Sequence, residues 1–560
     1  IEKTDGVLFF IEELIKSFRE TKIIKKKGGI YCIGNYTEKI AIPATVQDVI
    51  MVRIDALPET GKRLLQTAAV IGREFNHDII KRVADLSQDQ LLSTLSLLKE
   101  TEHLYERGIY PQSTYIFKHA LTQEMAYNSL LSKRKKSTHE KIGKSIELLK
   151  SKNIEENYEI LVYHYSRSDD HASTLKYLDL ANQKAARLCA MNEAKLYFDE
   201  SMRLLDDLDE SDENRFQRIS LLARQGTVIE LLLKFQEYYD LLVRYEPLAK
   251  EIDNPKLIGA YYVQLGQCHF AFGHYDNALK TLSQAVALCV SVGDTENAAH
   301  AYAYLILAHL DQGNYEEALK LKDDLVRMCD QRSNVRWYVR GVSAVGNAYS
   351  FLGKWRHAIQ EGKSALNVAM QTNDDSLVSL AASNLTLSYC FQGDTDAALY
   401  YGRLAVKNAK TPGDTSRSKR SLGWALCRSG QTEMGIKCLE DAVLPIFQSG
   451  GFMAFEIPLQ CYLGEGYWID GNQQKAMQML KKGLKMAEKS NARFFIGFAS
   501  RIIAQMCTEN EPIYAESLFN RSIDILKKIK AENEMAKALV GYGWLCKSRN
   551  NVPMANQLFR

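Results

Sequence analysis

From about residue 215 onward, small, apolar and turn-forming residues return on one beat. Counted from Gly226, the anchor recurs every 40 residues at Gly266, Ile306, Gly346 and Thr386. It then steps by 37, 41, 41 and 38 to Gly423, Gly464, Gln505 and Gly543. Seven residues after most anchors stands a turn former: Gly273, Gly313, Gly353, Gly393, Gly430, Gly471, Pro512, Asn550. An aromatic often follows two places later, as at Tyr275, Tyr315 and Trp355. Twelve after the anchor the residue is small (Ala278, Ala318, Ala358, Ala398, Gly435, Ala476, Ala555), and twenty after it is aliphatic (Val286, Val326, Leu366, Val406, Val443, Leu484, Ile525). This predicts a repeated helical hairpin. Small residues let two helix backbones approach, glycine breaks the chain between them, and the aliphatic position buries against the next hairpin. Less regular helical pairs precede the array over 138–214.

The first 140 residues have another texture. "KKKGGIYCIGNYTEKIAIP" alternates between glycine and asparagine turns and predicts a short β-hairpin. Two helices around Pro58 follow, then two more, the second N-capped by Ser87. "LYERG" and "STYIF" bracket Pro111 as two short strands, with a helix beginning near His119. Three helices, two strands and a further helix predict a winged-helix domain over 58–137. The fold class expected is therefore mainly α: a winged helix followed by an α-solenoid of helical repeats over 215–560.

Composition narrows the classes further. A chain of 560 residues exceeds one compact core, so several domains or an elongated array are expected. Its 10 prolines leave long helices unbroken, and a net charge of +3 demands neither nucleic acid nor membrane. Eleven cysteines, scattered without a C-x-x-C pair, fit reduced thiols in a cytoplasmic protein. No apolar run reaches the roughly 18 residues of a membrane span. The chain opens on Ile1 inside an apparent element, as a piece of a longer protein would.

"QLGQCHFAFGHYDNALKTLSQAV" resembles the tetratricopeptide repeat, although the 40-residue beat exceeds that family's usual period of about 34. "TDGVLFFIEELIKSF", "IPATVQDVIMVRIDALPETGKRLLQTAAVIGREF", "LYERGIYPQSTYIFKHALTQEMAYNSLLSKRKKSTHEKIG" and "HYSRSDDHASTLKYLDLANQKA" come in a particular order. Together they resemble the region after the nucleotide-binding core in bacterial STAND/AAA-type signal-transduction ATPases with tetratricopeptide tails. Many of these are fused to class III adenylate/guanylate cyclase domains. The resemblance implies that residues 1–57 end an ATPase lid, and that the ATPase, with its ATP or ADP and Mg, lies upstream. It also implies a role for His119, which resembles in position the winged-helix histidine that reaches the bound nucleotide phosphate in that class. An imidazole donor at a helix start favours an anion there. The structural alternative is a histidine that caps the wing.

No complete phosphate-binding loop occurs in the sequence. Gly-Lys-Ser occurs at Gly143 and Gly362, but Thr138 and His357 stand where a P-loop needs its first glycine. Gly341 and Gly346 have the right separation, with Asn347 in place of lysine. The chain is expected to be non-catalytic and to hold no cofactor or metal itself. DNA is not the expected partner, because the helix that would enter the groove, "SQDQLLSTLSLLKE", offers leucines and acids.

The usual inward positions of tetratricopeptide helices, transferred to this beat, are Arg340, Asn347, Arg417, Arg420, Trp424, Arg428, Glu465, Trp468, Trp544 and Lys547. Arginines with tryptophans suit an acidic or carboxylate-bearing peptide. Three readings remain: the regulatory part of a cyclase-linked ATPase, a free-standing repeat adaptor, and a winged-helix regulator with a peptide-sensing tail.

Overall fold

The computed structural model of the protein describes residues 8–20, 23–27, 30–33, 45–329, 334–448 and 452–559. The start of the "TDGVLFF" stretch and residues 34–44 of the hairpin stretch lie outside them. Two compact units emerge, Ile1–Lys184 with Leu196–Leu204, and Ala185–Lys195 with Leu205–Arg560.

The first unit begins with α1 (Leu8–Glu20), β1 (Ile24–Lys27), β2 (Ile30–Ile33) and α2 (Val46–Asp55). The two strands form the expected antiparallel hairpin, with Ile24 opposite Ile33. Then come α3 (Glu59–Ile71), β3 (Glu74–Asn76), α4 (His77–Val83), α5 (Gln88–Glu100), β4 (Leu104–Arg107), β5 (Thr114–Phe117) and α6 (Ala120–Asn128). Local chemistry sets these boundaries. Thr45 and Ser87 close capping boxes with Asp48 and Gln90, each satisfying helix N–H groups that would otherwise lack a partner. Pro58, with its fixed φ, opens α3.

The sheet holds three strands in the order β3-β5-β4, all antiparallel. The sequence pattern showed only the last two, because three residues are too few for an alternation to register. Phe75, Tyr115 and Phe117 point from this sheet into a core with Ile50, Ile54, Leu65, Leu95 and Leu98. The inner face of α5 is thus leucine against the core. The basic run after Leu131 lies on α7 (Ser132–Leu149), where Lys136 meets Asp169 at 2.7 Å and Lys135 lies over the Tyr127 ring.

A second core joins α3 and α7 to α8 (Tyr158–Tyr165) and α9 (His171–Arg187) through Val70, Ile142, Ile146, Leu161 and Leu178. Tyr165 and Tyr177 stack at 5.5 Å, and both hydroxyls donate to Glu147. Gly143, from the first Gly-Lys-Ser, sits inside α7 where a Cβ would fall 2.6 Å from the Tyr165 ring. It is a packing glycine. Beside it, buried His139 and His164 bring their Nδ1 atoms to 2.9 Å, and the Tyr127 hydroxyl lies 3.1 Å from His139 Nε2.

Helix α10 (Met191–Asp207) is divided between the two units, and the second takes in α11 (Asp212–Leu222), α12 (Gly226–Leu232) and α13 (Phe235–Glu251). Regular hairpins follow: α14 (Pro255–Ala271) with α15 (Tyr275–Ser291), α16 (Thr295–Asp311) with α17 (Tyr315–Met328), and α18 (Val335–Phe351) with α19 (Trp355–Met370). Next are α20 (Asp375–Gln392) with α21 (Thr395–Lys407), and α22 (Pro412–Arg428) with α23 (Thr432–Gln448). The last are α24 (Met453–Ile469) with α25 (Gln473–Ser490), α26 (Arg493–Met506) with α27 (Pro512–Lys528), and α28 (Glu532–Ser548) with α29 (Val552–Phe559). This is a helical-repeat solenoid. Gly273, Gly313 and Gly353 turn between partners at φ of 71°, 80° and 73°, a region that side chains with a Cβ resist.

The small residues twelve after each anchor are buried; Ala278, Ala318, Ala358, Ala398 and Ala476 are all at 0% exposure. One expectation needs correcting. The aliphatic position twenty after the anchor varies in depth, from buried Leu366 and Leu484 through half-buried Val286 and Val406 to Val326 at 38% exposure. The residue just before it is buried in five of the copies: Ala285, Leu325, Ala365, Ala405 and Ala442. Steps of three and four from the small residue keep one helical face, and a step of one leaves it. The second Gly-Lys-Ser glycine, Gly362, lies within α19 against Leu385.

Two outcomes are expected from this packing. Gly423→Ala places a Cβ 2.9 Å from the Gly435 carbonyl and 3.0 Å from the Leu439 nitrogen, both backbone. It should destabilise the second unit by about 1–3 kcal/mol, read as a lower denaturant midpoint. The second concerns the histidine pair. Burial pushes His139 down to about 4 and His164 down to about 3. The unfolded chain therefore binds more protons below pH 6.5, and stability is lost as pH falls from there toward 4. The first unit should lose on the order of 2–4 kcal/mol over that range. His164→Gln should flatten the profile, and a flat wild-type profile would refute the account.

Candidate functional site

One cavity of about 100 Å³ opens on the inner side of the repeats, lined by first helices of successive hairpins. Arg340, Arg417 and Arg420 reach it, together with Asn347, Asn384 and Asp311. Aromatic walls come from Phe270, Tyr304, Phe455 and Tyr462.

The arginines are held from behind by a residue the beat does not predict. A continuous first helix is expected through Gly226, as in the later hairpins, but the chain breaks at Ala223–Gln225 and restarts as α12. Gly226 sits so close to Gln264 and Gln267 that a Cβ would overlap both side chains. Further along, Gly413 at the start of α22 lies against the carbonyls of Glu230 and Leu231. Wedged in this way, α12 carries the Glu230 carboxylate inside the solenoid.

Arg340 Nη2 donates to Glu230 Oε1, and Arg417 Nη2 donates to the same oxygen at 3.3 Å. The Tyr304 hydroxyl donates to Oε2 at 2.7 Å, and Gln267 Nε2 lies 3.5 Å from it. Arg417 Nη1 also donates to Asp414 at 3.2 Å, and Ser376 donates to Asp414 at 2.9 Å. Burial pushes the Glu230 carboxyl up, but the two guanidiniums outweigh it and hold the group below the usual range. A buried carboxylate shared by two arginines is stable only because every oxygen is satisfied.

Arg420 differs from both. Its guanidinium lies 5.0 Å over the Phe455 ring, with only a 3.5 Å contact from Nη1 to the Phe455 carbonyl. No carboxylate stands within ion-pair distance of it among the described residues, and its Nε, like that of Arg340, is buried without an acceptor. Burial pushes Arg420 down to about 10. Opposite, burial pushes Asp311 up to about 7, against a hydrogen bond of 3.1 Å from the Tyr275 hydroxyl and the pull of Arg420. Asn347 Nδ2 donates to Asn384 Oδ1 at 2.7 Å.

The other expected groove residues are placed elsewhere. Trp424 is fully buried between Phe391 and Tyr462, stacked on the latter at 4.2 Å, and its Nε1 donates to Glu465 at 2.6 Å. It is a core residue because its indole finds both aromatic neighbours and a buried acceptor. Arg428 lies 3.7 Å from Glu465 and covers the Trp424 ring. Trp468 is half-buried and does not line the cavity. Trp544 is 55% exposed, with Phe559 and Lys547 as neighbours. Glu230, Tyr304, Asp311 and Asp414 were missed. Glu230 did leave a signal, an acid four after the anchor where Phe270 and Leu310 stand in later copies.

In the first unit, His119 is the N-cap residue of α6, but its ring does not cap the helix. Its Nε2 lies 3.7 Å from Glu13, which is paired with buried Arg53. Burial, foremost, lowers the His119 pKa.

The titration of Asp311 has a stability consequence. Its folded pKa lies above the ordinary value, so the folded state binds the extra proton and stability falls as pH rises from about 4 through 7. Asp311→Asn keeps the Tyr275 acceptor and should remove this dependence. A gain on the order of 1–2 kcal/mol at pH 8, measured by denaturation, is expected.

Comparison with known proteins bears on the same region. The tetratricopeptide repeat family is matched over residues 257–331. Tetratricopeptide repeat protein 29 of Macaca fascicularis is 24% identical over 155 residues, 27% of this chain and 33% of that one. Response regulator aspartate phosphatase H of Bacillus subtilis is 23% identical over 107 residues, 19% of this chain and 28% of that one. The chain thus spans a third or less of the length of these curated relatives. Among solved structures, a Rap protein complexed with Competence and Sporulation Factor is 14% identical with a TM-score of 0.45, covering 69% of this chain and 99% of that one. A Signal Transduction ATPase with Numerous Domains from Pyrococcus horikoshii, with a tetratricopeptide repeat sensor, is 14% identical with a TM-score of 0.34, covering 100% of this chain and 70% of that one. Among the described residues no helix is long and apolar enough to cross a membrane, and no cluster of His, Cys, Asp and Glu could hold a metal ion. The second unit is a helical-repeat array that carries tetratricopeptide repeats.

Proposed function

We propose that this chain is the sensing and relay part of a multidomain signal-transduction ATPase, of the kind linked to adenylate or guanylate cyclase domains. The repeats bind a protein or peptide ligand, and the first unit passes the bound state to an ATPase that precedes it. The observation that carries the reading is the inward cavity, where three arginines from α18 and α22 are gathered with aromatic walls. An array built only as a spacer has no need to bury guanidiniums there, since isolated charges are costly inside a protein.

The helices α3, α4 and α5 with the strands β4 and β5 support a winged-helix reading of residues 58–137. His119, at the start of α6, is the residue that would meet a nucleotide phosphate offered by the preceding domain. ATP or ADP and Mg belong to that domain. A ligand that favours one repeat conformation by about 1–3 kcal/mol suffices to regulate it.

The coding sequence before Ile1 should specify a P-loop. In the extended protein, removing residues 215–560 should change the rate of ATP hydrolysis at least about fivefold. A start codon directly before Ile1, or an unchanged rate, would sink this reading in favour of a free-standing repeat scaffold.

A further inference from the structure

The basic run that follows Leu131 is only partly used by the packing of α7. Lys136 pairs with Asp169 and Lys135 lies over the Tyr127 ring, whereas the Arg134 guanidinium has no partner among the described residues. Arg134 instead lines a cavity of about 340 Å³ that lies wholly within the first unit, between α3, the α4–α5 connection and α7. Arg63 and Lys141 line it too, and Asp85 is the one acid on its wall. Three cations against one carboxylate leave two positive charges on the lining.

The cations are weakly answered. Arg63 meets Glu59 at 2.7 Å and Lys141 meets Asp85 at 2.9 Å, with the acids 70% and 86% exposed. Ion pairs in water contribute little to stability, so a better-placed anion displaces them. A second observation points the same way. Thr138, 8% exposed, lines the cavity, yet its hydroxyl makes no hydrogen bond within the chain among the described residues. Ser145 of the same helix bonds back to the Lys141 carbonyl at 2.7 Å. A buried hydroxyl that forgoes such a bond is free for a partner from outside the chain. Neither α3 nor α7 has a side-chain cap at its start, and Thr60 and Arg134 of their first turns line the cavity. Two positive helix ends therefore add to the charge of the side chains.

Size and lining restrict the ligand. A cavity of about 150 Å³ takes a benzene ring, so 340 Å³ takes about thirteen heavy atoms, enough for a phosphate with a sugar attached. A phosphate monoester carries about −1.5 to −2 charges at pH 7, which matches the lining. Thr60, Thr67 and Ser137 offer hydroxyls to a sugar, and no aromatic ring lines the cavity to stack a base.

We propose that this cavity binds a sugar phosphate, its phosphate held by Arg63, Arg134, Lys141 and the Thr138 hydroxyl, and its sugar by the remaining hydroxyls and Asp85. The site shares no residue with the repeats. Its ligand joins α3, which contributes to both cores of the first unit, to α7, which contributes to the second. Occupancy therefore stabilises the first unit by mass action.

The test titrates the whole chain with ribose 5-phosphate, ribose, inorganic phosphate and AMP by calorimetry. Ribose 5-phosphate should bind at least tenfold more tightly than inorganic phosphate, ribose should not bind, and AMP should bind no more tightly than the sugar phosphate. Arg134→Gln should weaken ribose 5-phosphate at least tenfold and Thr138→Val at least threefold. Lys135→Gln, one residue along the same run, should leave the affinity unchanged. Arg134 is exposed, so its loss spares the fold; should Thr138→Val not fold, the Arg134 and Lys135 variants decide. Equal affinity for inorganic phosphate would assign the site to the free anion, and tighter AMP binding would make a base the recognised group. Equal losses at Arg134 and Lys135 would reduce the binding to surface charge. Any of these results, or no binding of ribose 5-phosphate, overturns the proposal.

Discussion

Two helix backbones can touch only where neither carries a bulky side chain, and the second unit is organised around that limit. Gly266, Gly423 and Gly464 each leave space that the partner helix fills with Leu282, Leu439 and Leu480. Opposite them, buried small residues at the start of the second helices, Ala278, Gly435 and Ala476, complete the contact. Because close approaches of this kind return at several of the beats, successive hairpins present related surfaces to their neighbours, and the array propagates. Cysteines take part as small hydrophobes: Cys427 and Cys461 lie against Gly466 and Gly483. Burial pushes the Cys427 thiol up to about 12, which fits packing rather than reactivity.

Regular packing of this kind produces a scaffold, and the departure from it produces the site. The first hairpin should hold one long helix, but the break at Ala223–Gln225 frees seven residues to turn inward. Leu233, held at φ 58° where later copies have glycine, shows that this copy tolerates a strained turn. The inward helix brings an acid to where two arginines from distant hairpins converge. None of the three charges could be buried alone, since an unpaired ion inside costs several kcal/mol. The acid and the arginines are thus conditions for one another. Through Tyr304 and Gln267 the network extends to His300, whose Nε2–H donates to Gln267 Oε1 at 3.0 Å and whose ring stacks on Trp337.

Much of the architecture was legible in the residues. Glycines at a fixed offset marked the hairpin turns, and Ser87 marked the start of α5. Strand β3 was not legible, since Glu74–Asn76 gains its identity only by pairing with β5. The site was legible in part. Arg340, Arg417, Arg420 and Asn347 are brought together as the inward positions required. Trp424 was not separable from them, because an inward position is exposed or buried according to what sits above it, and Phe391 and Tyr462 sit on both sides. Glu230 was hidden for another reason. A 40-residue period describes neighbours, while Glu230 acts on residues 110 and 187 positions away. Only the closure of the solenoid makes them adjacent.

That distance bears on how such an array could signal. A repeat protein with contacts between neighbours alone responds to a ligand locally, because each interface can adjust without informing the next. A charge network tying α12 to α16, α18 and α22 removes that independence, since the positions of four helices depend on one carboxylate. Arrangements of buried charge have few intermediate states. A guanidinium either meets its partner or bears the cost of isolation, so a small displacement at the cavity favours one of two discrete packings. The first hairpin, where α12 resides, lies at the end of the array nearest in sequence to the first unit. A change in α12 is therefore made close in sequence to Leu205, where the chain last enters the second unit.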